Sequence, residues 1–113
     1  MRLVVGIVLL VLSWGLNAPA ALAGIVLAGG FFSGTIDRWD TATNTVTTFS
    51  NIGAQTGVGV PGIVGLAYNP ITNRVLTVGR FTNTVYELDA STGTVLAQHN
   101  TGGLAAPAGI AVD

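Results

Sequence analysis

The chain repeats itself. Sliding the sequence by 49 positions, from Val26 to Val75, superposes Leu27 on Leu76, Gly30 on Gly79, Phe32 on Phe81 and Thr35 on Thr84. The match continues with Asp40 on Asp89, Thr43 on Thr92, Thr45 on Thr94 and Val46 on Val95. A duplicated pattern of this length restricts the fold to one built from copies of a single supersecondary unit. Each copy, Ile25 to Thr47 and Arg74 to Leu96, must therefore read as the same arrangement of elements.

Within a copy the elements are short and extended. Gly24–Gly29 (GIVLAG) is an apolar run bounded by glycines, of a length that suits a buried strand. Thr35–Trp39 (TIDRW) is rich in β-branched and aromatic residues and reads as a second strand, and Thr45–Phe49 (TVTTF) as a third. The turn between them, Asp40–Asn44 (DTATN), has an Asp able to accept from following amides and an Asn that tolerates positive φ. In the second copy the turn is Asp89–Gly93 (DASTG), with Gly93 where the first has Asn44. These are the two residue types most tolerant of a left-handed backbone, so the exchange supports the alignment on physical grounds.

Between the copies, Ser50–Pro61 is a glycine-rich polar connection, and Gly62–Tyr68 (GIVGLAY) is a small-residue apolar strand ended by Asn69 and Pro70. The strands Arg74–Val78, Thr84–Asp89 and Thr94–Gln98 follow. His99–Pro107 is a second glycine-rich connector, and Gly109–Asp113 (GIAVD) echoes Gly65–Asn69 (GLAYN). With strands labelled A to D in a four-stranded unit, the order is B, C, D, then A, B, C, D, then A. No sustained 3.6-residue periodicity is present beyond the N-terminus. The expectation is an all-β chain of consecutive four-stranded antiparallel meanders, with the period and strand count of β-propeller blades. Blade one would hold strands B to D over about 24–49, blade two about 62–98, and a third blade would begin at 108–113.

The N-terminus reads differently. Met1–Leu12 has Arg2 and then an unbroken apolar run from Leu3, and Asn17, Pro19, Ala21 and Ala23 follow. That is the order of a secretory signal peptide, residues 1–23, which would be a helix cut after Ala23. Interruption at Asn17 makes it shorter than the about 20 apolar residues of a membrane span. A secreted or periplasmic domain, 24–113, is expected, with no stable membrane span after cleavage.

From Gly24 onward three arginines (Arg38, Arg74, Arg80) face five carboxylates (Asp37, Asp40, Glu87, Asp89, Asp113), a net charge of −2 with no lysine. Nothing there neutralises a phosphate backbone, which argues against nucleic acid. The absence of cysteine excludes disulfides, a thiolate nucleophile and cysteine-based metal sites.

The segments Asn73–Leu96 and Gly109–Asp113 resemble the YVTN type of β-propeller repeat, related in style to NHL repeats. Gly109, Ile110, Ala111, Val112 and Asp113 match its inner strand, Arg74, Val75 and Val78 its second, and Asn83, Thr84, Val85, Asp89, Thr92 and Gly93 the rest. In the first copy Gly34 replaces Asn83 and Asn44 replaces Gly93. The resemblance implies a propeller and leaves function open.

No residue is assigned a catalytic, cofactor or metal role. Asp40 and Asp89 are expected to satisfy turn amides rather than form a carboxylate pair. Phe32 and Phe81 are either exposed binding anchors or blade-to-blade packing, and recurrence favours packing. His99 is expected on a surface loop with no carboxylate nearby in sequence. Asn69 and Asp113 end the two A strands, where lactonase-like propellers gather metal ligands, but two oxygen ligands fall short of a site. Ser33, Ser50 and Ser91 lie in turns without a nucleophile-elbow context.

The functional expectation is a non-catalytic binding scaffold whose blade loops take a protein or carbohydrate ligand, as a fragment of a larger exported propeller. The competing expectations are the N-terminal part of a metal-dependent lactonase-like hydrolase and a structural chain that self-assembles through open edges. In the latter, the spare strand Gly109–Asp113 of one chain would complete the first blade of the next, giving a head-to-tail homo-oligomer.

Overall fold

The computed structural model describes residues 7–12, 24–102 and 109–111. The expected cleavage point after Ala23, the connector at 103–108 and Asp113 lie outside them. The elements are β1 (Ile7–Leu12), β2 (Ile25–Gly30), β3 (Thr35–Asp40), β4 (Thr45–Asn51), α1 (Ile52–Thr56), β5 (Ile63–Asn69), β6 (Arg74–Gly79), β7 (Thr84–Asp89) and β8 (Val95–Asn100). They form two antiparallel four-stranded meanders, β1-β2-β3-β4 and β5-β6-β7-β8. Among these residues no helix is long and apolar enough to cross a membrane.

The strands follow from β-branched and aromatic content, and the turns from residues that accept positive φ. Asn44 (φ 55°) and Gly93 (φ 75°) occupy the same place in the two D-strand turns. Gly34 (φ 69°) and Asn83 (φ 50°) do so in the turns before the C strands. Both exchanges between the copies thus fall where the chain must enter the left-handed region.

Three expectations need correction. Ile7–Leu12, placed in a signal helix, is a strand that pairs with β2 from Ile7 opposite Gly30 to Leu12 opposite Ile25. A six-residue run of Ile, Val and Leu carries no periodicity that separates helix from buried strand, and the β2 edge offers it a complete ladder. Blade one consequently has its A strand. Second, the connection after β4 contains α1, a five-residue helix too short to show a period. Asn51 caps its start by accepting from the Ala54 amide at 2.9 Å, and Gly57 (φ 74°) closes it. Third, β8 runs to Asn100, so His99 belongs to a strand and not to a connector.

One core lies between the two sheets. Ile25, Leu27, Ile36 and Phe49 of blade one, with Ile52 of α1, pack on Ile63, Leu66, Val75, Tyr86 and Leu88 of blade two. Leu27, Ile36, Ile52, Ile63, Val75, Tyr86 and Leu88 are fully buried. Each such side chain contributes about 1.5–3 kcal/mol relative to exposure, so this interface dominates the fold's cohesion. Thr77, also fully buried, donates its hydroxyl to the Gly65 carbonyl at 2.5 Å. Gly29 allows the inner strands to close up, since a Cβ there would run into the Ile63 side chain.

Polar contacts lock the same seam. Gln55 of α1 donates through Nε2 to the Ser50 hydroxyl (3.0 Å) and the Gly93 carbonyl (3.2 Å). Its Oε1 accepts from the Val95 amide at 2.8 Å. One side chain on the connecting helix therefore ties the end of blade one to the final strand of blade two.

Candidate functional site

The turns β2–β3 and β6–β7 hold equivalent positions in the repeat, and each carries aromatics. Phe31 and Phe32 meet edge to face, ring centroids 4.8 Å apart, and Phe31 reaches Phe81 of the other blade at 5.0 Å. Among the three rings it is the Phe31–Phe81 contact that crosses between the blades, while Phe32 and Phe81 remain 65% and 58% exposed. Recurrence alone favoured packing for Phe32 and Phe81; the geometry gives the packing role largely to Phe31.

Buried backbone supports the group from below. Phe81 donates its amide to the Pro61 carbonyl at 2.9 Å, and Arg80 its amide to the Gly62 carbonyl at 2.8 Å. The Phe81 ring lies over Gly62 (φ 73°), where a Cβ would come within 2.8 Å of Cδ2. Gly34, Pro61 and Gly62 are buried, and Ser33 and Arg80 are exposed beside the rings. The result is an aromatic surface on hydrogen-bonded backbone, with Ser33 and Arg80 next to it in the chain. Such a surface can stack on or enclose an apolar group and hydrogen-bond its periphery.

A second group, missed in the sequence, crosses the face of blade two turned away from blade one. Glu87 accepts from Arg74 Nη1 at 3.2 Å through Oε1, and its Oε2 meets His99 Nε2 at 2.5 Å. The His99 hydrogen bond, helped by the Arg74 charge and opposed by burial, holds the Glu87 carboxyl below the usual range. His99 is thus 12 residues from its carboxylate partner, which correct hairpin register alone brings into reach. Arg74 pairs with Asp89 and His99 with Val85, so both approach Glu87 diagonally on one face.

Asp40 Oδ1 accepts from the amides of Ala42 (2.9 Å) and Thr43 (3.2 Å), and Asp89 Oδ1 from those of Ser91 (2.7 Å) and Thr92 (3.3 Å). The two carboxylates thus serve matching turns. Asn69 Oδ1 accepts from the Ile71 amide at 3.1 Å, also a turn contact. Ser33 bonds to Thr35 and Ser50 to Gln55, while Ser91 accepts from Asn73. Among the described residues no three His, Cys, Asp or Glu side chains gather as a metal group.

No family model and no curated protein matches the chain. Among solved structures it is similar to the β-propeller domain of Cps50 (Swd1) from Myceliophteria thermophila, with a TM-score of 0.60 and 14% identity over 88% of this chain. The fold is that of β-propeller blades. The segment spans 27% of the length of that propeller. Propeller rings have about 4 to 8 blades, and the described residues of this chain form two such sheets.

Proposed function

We propose that this propeller segment is a non-catalytic interaction scaffold that takes a protein partner on the aromatic surface of Phe31, Phe32 and Phe81. The observation that carries the reading is the exposure of Phe32 and Phe81, the latter on backbone pinned by Pro61 and Gly62. Holding apolar rings in water is unfavourable, and a rigid support lowers the entropy lost on binding. The propeller likeness supports a scaffold role in general terms. We further propose that the scaffold is an exported one, of the YVTN or NHL repeat style, and contributes two blades to a larger ring. This rests on the order of Met1–Ala23 and on the repeat residues quoted above.

The test uses the full chain and its Phe32→Ser/Phe81→Ser double variant on a peptide array and a glycan array. Peptide signals that are enriched in apolar residues and lost in the variant support the reading. Identical profiles for both chains, signals on glycans alone, or no binding would overturn it. Export is checked separately by mass spectrometry of the chain recovered outside the expressing cell, where a start at Gly24 is expected.

A further inference from the structure

The 49-residue translation compares two faces that meet inside the molecule with two that do not. At the internal seam, blade one presents Leu27 and Ile36, both fully buried. Their translated counterparts on blade two are Leu76 and Val85, on the face turned away from blade one, and these are half-buried. Conversely, blade two presents Val75, Leu88 and Val95 to the seam. Their counterparts on blade one are Val26, Trp39 and Val46, side by side on its outward face through the pairs Val26–Trp39 and Trp39–Val46. Val26 is buried, Trp39 is half-buried and Val46 is 48% exposed.

Leu76 and Val85 on one outward face, and Val26, Trp39 and Val46 on the other, repeat apolar positions of the two faces that form the core, while Arg74 and Asp37 stand where the core has Ile25 and Tyr86. We propose that copies of this chain associate head to tail, the Leu76–Val85 face of blade two seating the Val26–Trp39–Val46 face of a second copy. The contact would continue the internal seam from one molecule into the next, with Arg74, Glu87 and His99 flanking the apolar strip. Gly109 and Ile110 already lie against Gly65 at the inner end of this face, which leaves Leu76 and Val85 for the partner. The contact is heterologous, so it generates a ring when the rotation closes. With two blades per copy, closure at 4 to 8 blades corresponds to about two to four copies.

Donation of Gly109–Asp113 into the first blade of a neighbour is a different mode, and in the uncleaved chain β1 occupies the edge that it needs.

The absence of cysteine makes the contact directly testable. Full-length Val46→Cys and Val85→Cys chains are oxidised separately and as a mixture. The expected result is a disulfide dimer far more abundant in the mixture, joining one chain of each kind. Sedimentation of the unmodified 11.4 kDa chain should show discrete assemblies of about two to four copies, and Val85→Asp should convert them to monomer with an unchanged far-UV spectrum. A monomeric unmodified chain overturns the proposal. So does a Val46→Cys chain that cross-links to itself as readily as the mixture does, because that contact would be symmetric.

Discussion

Gly93 offers the sharpest test of how the two blades are held. Its φ of 75° already penalises any residue with a Cβ, by roughly 1–2 kcal/mol. In addition, a Cβ would be driven into the Phe49 carbonyl oxygen and to 2.8 Å from its carbon. Both belong to the backbone of blade one and cannot rotate away, so overpacking adds about 1–3 kcal/mol. Gly93→Ala should therefore cost about 2–5 kcal/mol. Gly57 has nearly the same φ of 74°, yet nothing lies within 4 Å of its would-be Cβ. Gly57→Ala should cost only the conformational share, about 1–2 kcal/mol. Urea denaturation followed by far-UV circular dichroism measures both, and comparison of midpoints at equal slope isolates the clash. Gly93→Asn should recover little, because Asn relieves φ but not the collision. Equal losses for Gly93→Ala and Gly57→Ala would refute the close approach of Phe49 to this turn.

Two further perturbations probe other parts of the molecule. Gln55→Ala removes the bridge from α1 to Gly93 and Val95; a loss of about 1–3 kcal/mol and faster hydrogen exchange at the Val95 amide are expected, and an unchanged exchange rate would deny the contact. Glu87 titrates lower in the folded chain than in the unfolded one. Its contribution is therefore complete above the unfolded carboxyl's pKa of 4.5 and is lost as the pH falls through the lower folded value. Urea midpoints from pH 7 to 3 should fall less steeply for Glu87→Gln than for the parent chain, whereas parallel curves would contradict the Arg74–Glu87–His99 linkage.

Much of the fold was legible because strand and turn chemistry agree in both copies. The Asn44/Gly93 exchange is instructive: the sequence shows two residues equally suited to positive φ. The structure shows that only Gly93 also lies under a neighbouring carbonyl, a tertiary constraint without local trace. The same limit hid β1, whose apolar run satisfies the pattern of an export signal and of a buried strand alike. Residues 52–56 are too few to display a helical period, and so α1 and the role of Gln55 were missed. In the candidate site, the recurrence of Phe32 and Phe81 was visible but their exposure was not. Arg74, Glu87 and His99 stand on three strands, and only the hairpin registers bring them together.

If the chain is exported as proposed, the seating of Ile7–Leu12 against β2 has a consequence for the timing of its biogenesis. An export apparatus must grip an apolar leader while it is still accessible, whereas a finished first sheet withdraws those same six residues into its backbone ladder. Under the proposed export, folding and leader capture would compete for one segment, and the faster of them would decide which product forms. A molecule processed after Ala23 would lose a whole inner strand and present the β2 backbone as an open edge, so the two products would differ in architecture as well as in destination.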